Sequence, residues 1–429
     1  MVKNTIPRLF LVIFIIYAFF TSTVFAEPVD LLPFEDLTPD SLTGFGDSWN
    51  RYAWSMEAYD GDIFVGTWNQ KVYLPMLIVN VLKALPVIIK DRTLFMKEVL
   101  GTHPVTASKG GEIWKYSLAD ETWTQVVDNG YNDTFNTGYR ISKRYRDAVY
   151  FGSANYRNGT QLLALSDHGS TIKVLEPADS AAKERWHSND SNRTMIVVND
   201  ILYIGTENTG GAELWAYDKI ELKRVYKFKE LSVGYLCAFG NFLFAGMWDD
   251  SDMKLYRLKI GQAQEIVQID DMTPAEFVGT GNRGVIAMEV FNNRLFVSTM
   301  NYRKGFSLFY INDPDALPGD PESYRLITND GFGDSLNMYG WSMKEFDGVL
   351  YLGTYNIRGP ELWYSTDGEN WEVLMPKGFG SKFEWGIRSM VVADQRLFIG
   401  TASSIPSSMH LGTPGGLKIF ASKKVDTLP

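Results

Sequence analysis

The 429 residues carry 51 acidic against 41 basic side chains, a formal net charge of −10. That acidity excludes a partner gripped by its phosphate backbone, such as nucleic acid, which needs a cationic surface. With Cys237 the only cysteine no intrachain disulfide forms, so stability must come from a buried core, which a chain of this length can build.

Lys3 and Arg8 precede the apolar run LFLVIFIIYAFF, and TSTVFA follows with Val24 and Ala26 at the spacing a signal peptidase reads. Residues 1–26 therefore read as a cleaved signal, and the mature protein is expected to be exported to a periplasm, a cell surface or the medium. The apolar run is about 12 residues, short for a membrane-spanning helix.

After the signal, GFGDSWNRYAWSM (44–56) returns as GFGDSLNMYGWSM (331–343). Each copy leads into an apolar run ended by small residues, DIFVGT to Thr67 and VLYLGT to Thr354, and related runs end at Ser153, Thr206, Met247, Thr299 and Thr401. The anchors are mostly about 40 to 55 residues apart, the size of one four-stranded propeller blade. Within a copy, runs such as RTMIVVND read as an inner strand, and NDI or DGD as the hairpin into the second. The element GxELW, from Gly110, Gly211 and Gly359, supplies the third strand, and TWTQVV and NWEVLM show the fourth. Seven copies predict an all-β, seven-bladed β-propeller over residues 27–429. The last copy runs out before a fourth strand, so EPVDLLPF, just after the signal, is predicted to pair there and close the ring, which removes exposed strand edges.

Residues 70–109 interrupt the first blade with a hydrophobic stretch found nowhere else in the chain. Pro75 opens a predicted helix to Lys83 or Ala84, Pro86 stops it, and a second helix fits Asp91 to Leu100 with Gly101 as its stop. The plainer reading is a helical pair laid on the propeller; the sharper one is a lid, or a membrane-surface or protein contact through residues 72–100.

The segment STDGENW (365–371) resembles the Asp-box on the third-to-fourth-strand turn of sialidase-like propellers, and SDHGST (166–171) is a degraded second match. The resemblance, like that to kelch-like propellers, reaches the fold only. It implies a turn in which the Asp bonds backbone amides and the aromatic packs between blades, with no activity transferred.

Twelve residues before each anchor position the copies read Trp54, Arg140, Arg193, Gly234, Ile286, Trp341 and Arg388. On an inner strand this position points near the channel mouth. Three arginines and two tryptophans fit an anionic or sugar-like ligand, with guanidinium forks for a carboxylate or sulfate and indoles stacking on a ring. For any one residue the plainer reading is an interblade ion pair or interblade packing; as a group, Trp54, Arg140, Arg193, Trp341 and Arg388 form the candidate ligand site. Tyr156–Arg157, Tyr302–Arg303 and Arg358 follow loop asparagines and extend it as rim cations. Asn69, Asn155, Asn208, Asn301 and Asn356 recur at one offset, which favours a turn role over ligand binding.

No nucleophile elbow, P-loop or dinucleotide fingerprint is present, and His103, His168, His187 and His410 show no metal-ligand spacing. No cofactor is expected, although Asp249, Asp250 and Asp252 offer oxygen ligands to calcium in a run that lacks the glycine and distal glutamate of an EF-hand. Glu57 and Glu289 hold matching inner-strand positions and serve either as acid and base or as paired structural carboxylates. Two functions remain: a binding or scaffolding propeller for a carbohydrate or anionic ligand, and a glycosidase or polysaccharide lyase using the same funnel. Asn132, Asn158, Asn189 and Asn192 each head an Asn-x-Ser/Thr sequence that a eukaryotic host would read.

Overall fold

The computed structural model describes residues 34–39, 43–70, 108–249, 252–375, 378–379, 384–403 and 415–424. The signal reading, residues 71–107 of the insertion with both predicted helices, His103, His410 and Asp250 lie outside the described residues.

The chain is all-β, with 28 strands among the described residues in one connected antiparallel system. After β1 (Phe34–Asp36), the strands β2 (Asn50–Tyr59), β3 (Asp62–Asn69), β4 (Ile113–Ser117) and β5 (Thr122–Val127) pair in chain order as a meander. The same four-stranded meander recurs over 138–175, 191–227, 232–271, 284–328 and 339–375. Burial follows position: every residue of β3, DIFVGTWN, is buried, whereas most of β5, TWTQVV, is at least partly open. A strand covered on both faces reads as a continuous apolar run, and an outer strand alternates. Most hairpins between first and second strands are tight because both central residues take left-handed backbone, as at Asp60–Gly61 and Asn199–Asp200, whereas at Arg146 and Gly240 only the first does.

The meanders are joined near the ends of their second strands. Trp68 pairs with Gly138, Ala154 with Ser191, Glu207 with Ser232, Trp248 with Gly284, Met300 with Tyr339 and Tyr355 with Gly386; Ala402 then pairs with Tyr52 and returns to the start. The two inner strands of each meander thus form a closed antiparallel barrel of 14 strands. Neighbouring meanders approach closely enough to explain the anchor glycine. A Cβ on Gly66 would lie 2.7 Å from the Tyr139 carbonyl, and one on Gly205 would lie 2.7 Å from the Val233 Cβ, both closer than real Cβ contacts.

The final meander holds three strands of the C-terminal segment and β1. Phe34 pairs with Ser422 and Asp36 with Phe420, Arg396 forms an ion pair with Glu35, and Lys418 meets Asp36 at 2.8 Å. The strand begins at Phe34, the last residue of EPVDLLPF, so the N-terminal segment supplies the fourth strand that the C-terminus lacks. The helix α1 (Ser180–His187) fills one fourth-to-first-strand connection, capped by Asp179 and anchored by buried Trp186, whose ring meets Trp215 edge-on at 5.1 Å. Of the four Asn-x-Ser/Thr positions, Asn189 and Asn192 are fully buried, which excludes them as sugar acceptors in the folded protein; Asn132 and Asn158 are exposed.

Candidate functional site

Each residue twelve before the anchor is the extra residue of a β-bulge. Ala53 pairs with Thr67 and Ser55 with Gly66, which leaves Trp54 with no partner across the strand. The same skip isolates Arg140, Arg193, Gly234, Ile286, Trp341 and Arg388. A bulge re-aims the side chain it carries, so these residues need not follow the in-and-out alternation of the strand.

The tryptophans and arginines are then coupled through glycine. Gly138, two residues before Arg140, lies under Trp54, where an added Cβ would be 2.6 Å from the indole; Gly386 lies under Trp341 in the same way. The missing side chains let each ring lie against the next inner strand, where the Arg140 guanidinium sits 5.0 Å from Trp54 and that of Arg388 5.5 Å from Trp341. Arg193 faces Trp248 at 4.5 Å. Such cation–aromatic contacts contribute about 0.5–1 kcal/mol each where water reaches them.

The arginines divide into a matched pair and a single one. Arg140 and Arg193 both donate from Nη1 to Glu207 Oε2 at 2.8 Å, and Arg140 also donates to the Tyr156 hydroxyl at 3.3 Å. A second carboxylate, Asp190, is held up at about 6 by burial and by the charge of Glu207. Arg388 has no carboxylate within salt-bridge distance among the described residues, and its buried Nε makes no hydrogen bond. Desolvation by the surrounding wall, and then repulsion from Arg140, lower its pKa to about 9. The residue as a whole nonetheless keeps part of its surface. Tyr52 completes the wall, touching Trp54 at 6.4 Å, Trp68 at 4.5 Å and Trp341 at 5.5 Å. Burial raises the Tyr52 phenol, so it stays protonated and able to donate.

The five residues singled out in the sequence are therefore brought to one place. Glu207, Tyr52, Asp190 and Trp248 also belong to it and were not anticipated. Two residues after the anchor position the copies read Trp68, Ala154, Glu207, Trp248, Met300, Tyr355 and Ala402, a column in which one carboxylate stands among apolar and aromatic residues. Deeper in the channel, Glu57 lies 3.7 Å from Lys143 and Glu289 lies 2.7 Å from Lys344. Both carboxylates are thus in ion pairs. Burial raises the Glu57 pKa against the pull of Lys143.

The recurring loop asparagines do other work. Asn50 donates to the Gly44 carbonyl and to Glu112, and its own oxygen accepts from Thr67 and Asn69; Asn69 also donates to Asp47. The set repeats with Asn337, Glu361, Asn356 and Asp334, and with Asn136, Gln161, Ser153, Asn155 and Asp133. In GxELW the Glu accepts from the loop Asn and from the Trp two residues on, as Glu361 does from Asn337 and Trp363. The echoed GFGDSxN and the GxELW element are thus parts of one buried lattice.

Among the other sequence features, Asp367 accepts from the amides of Glu369 and Asn370, which lowers its pKa, and Trp371 packs on Phe332 at 5.8 Å. Arg157, Arg303 and Arg358 are exposed on the loop face, with Arg157 over Phe135 at 4.3 Å, and the Tyr302 hydroxyl meets that of Tyr339 at 2.7 Å. Asp252 accepts from the Gly279 amide, and no cluster of three or more metal-binding side chains occurs among the described residues. The insertion leaves the sheet after Gln70 and returns at Ser108, whose hydroxyl donates to the Asn69 carbonyl, on this same loop face.

No protein-family model matches the sequence, and no curated protein does. Among solved structures, the WD40 repeats of RRP9 match with a TM-score of 0.53 at 10% identity, over 93% of this chain and 99% of that one. Puromycin hydrolase matches with a TM-score of 0.50 at 9% identity, over 86% of this chain and 53% of that one, about half its length. At such identities the likeness concerns architecture alone. Together with the closed ring of four-stranded meanders, it shows that this chain has a β-propeller fold.

Proposed function

We propose that the protein is an exported seven-bladed propeller that binds a carbohydrate or other anionic ligand at its channel mouth, acting as a binding or scaffolding protein. Four strands to a blade account for the 28 strands among the described residues. Residues 1–26 supply the export signal, residues 70–109 a lid or contact surface on the loop face, and STDGENW an Asp-box-like turn of structural use.

One observation carries the ligand site. Arg388 is a desolvated guanidinium with no carboxylate partner among the described residues, set against the Trp341 ring. Burying a charge without a partner costs several kcal/mol, and a ligand carboxylate or sulfate would offset that cost. The enzyme reading gains less support, because Glu57 and Glu289 are each engaged by a lysine.

A glycan array followed by titration calorimetry tests the reading. Anionic sugars are expected to bind, and Arg388→Gln is expected to weaken them by about tenfold or more, the loss of one charge-assisted hydrogen-bonding group. Absence of any anionic ligand from the array sinks the site. Release of new reducing ends or of unsaturated sugar by the intact protein would instead make it an enzyme.

A further inference from the structure

Charge at the mouth is not spread evenly, and the imbalance narrows the ligand. Arg140 and Arg193 converge on a single oxygen of Glu207, and Asp190 lies close enough to Glu207 for the two carboxylates to repel. Near neutral pH these two cations and two anions cancel. Arg388 is left over against Trp341 and Tyr52, while the other guanidinium of that wall, Arg51, lies over Tyr52 and Trp68, is buried and donates to the Ser403 carbonyl.

A second anionic group that reached toward Arg140 and Arg193 would therefore meet Glu207 and Asp190. A hydroxyl placed there instead finds acceptors in Glu207 and a partner in the Tyr156 phenol, which already takes part in the network through Arg140. The flat rings beside Arg388 suit the C–H face of a sugar better than an extended polyanion.

We propose that the mouth takes a ligand of one negative charge, a carboxylate carried on a hydroxylated ring as in a uronic acid, and discriminates against the same sugar bearing a second charge. This rests on the anion-binding reading of the site given above. Arg388 grips the carboxylate, the aromatic wall covers the ring, and Glu207 does two things: it neutralises Arg140 and Arg193, and it turns a second anion away.

Calorimetry on the full mature chain with three probes decides it: glucuronate, glucose and a sulfated glucuronate. Glucuronate should bind tighter than glucose by about tenfold or more, as a charge-assisted hydrogen bond is worth. The sulfated sugar should bind about fivefold or more weaker than glucuronate, a like-charge penalty at partly screened distance. Glu207→Gln should reverse that order, since it releases one arginine charge; a merely structural glutamate would weaken both probes alike. Thermal melts of Glu207→Gln and of the conservative Glu207→Asp establish that each variant is folded before it is read. If the sulfated sugar binds as well as or better than glucuronate in the unaltered protein, the single-charge proposal falls while the anion site stands. If none of the three binds and Arg388→Gln changes nothing, the anion site itself falls.

Discussion

The loop-face lattice and the bulge ring are built on the same inner strands a few residues apart, and they follow opposite rules. Asn50, Asn136 and Asn337 repeat because each closes carbonyl, hydroxyl and amide groups that are buried in its own blade. A buried polar group left without a partner costs about 1–3 kcal/mol, so most copies give the same answer. Trp54, Arg140, Gly234 and Arg388 differ because a bulged residue has no cross-strand register to satisfy. Where the backbone sets the requirement the copies agree; where the side chain faces the channel they are free to diverge.

The largest effect is expected from breaking the lattice. Asn337→Leu removes the donors to the Gly331 carbonyl and Glu361 and the acceptor for Asn356, all of them buried. Loss of about 3–5 kcal/mol in denaturant unfolding is expected, as for other buried networks broken on one side. A loss below 1 kcal/mol would show that the repeated asparagines are turn residues and nothing more.

Two blades depart from the lattice, the fourth with Glu230 at the position of Asn50 and Asn337 and the last with Glu384, and the last sharpens the contrast. Its Glu384 is fully enclosed, with Oε2 unbonded. Burial raises its pKa from 4.5 to about 7, with Asp36 adding to the rise while Thr401 and Lys418 oppose it. Because the folded value lies above the unfolded one, its contribution to stability is complete below pH 4.5 and is lost as pH rises through about 7. Glu384→Gln should therefore leave stability unchanged at pH 4 and raise it at pH 8 by roughly 3 kcal/mol at most. Parallel melting curves for both proteins across that range would contradict this account.

A smaller effect is expected at Gly386. In Gly386→Ala the added Cβ overlaps the Trp341 indole, which must shift and so disturb its contact with Arg388. Stability should fall by about 1–3 kcal/mol, as in other overpacked sites, and ligand affinity should fall with it. Retained affinity would mean that the position of the Trp341 ring is irrelevant to binding.

How much of this was legible in the sequence follows from the same division. Strand positions, the closing N-terminal strand and the ring residues were readable because anchor glycines fix a register from which one can count. The bulge at Trp54 or Arg388 was not, since it is defined by which residue fails to pair with a partner strand. Asn69, Asn155 and Asn356 were recognised as turn residues, but the role of Asn50 and Asn337 was not, and their partners Glu112 and Glu361 looked like ordinary strand residues of GxELW. Glu207 was legible in principle, as the lone acid in its column, but the column became meaningful only once Arg140 and Arg193 were seen to converge on it.

The smallest stability change separates the arginines from one another. Arg193→Gln removes one of the two donors to Glu207 Oε2 while Arg140 retains the other, and a cost of about 1 kcal/mol is expected for the lost charge-assisted bond. Arg388→Gln should cost nothing, and it should stabilise the unliganded protein by roughly 1 kcal/mol after allowance for water in the channel, because it relieves desolvation and the repulsion from Arg140. A residue whose removal stabilises the fold yet weakens an anionic ligand is held there by the ligand. If Arg388→Gln destabilises the protein as much as Arg193→Gln does, then Arg388 is part of the scaffold and the contrast between lattice and ring loses its clearest member.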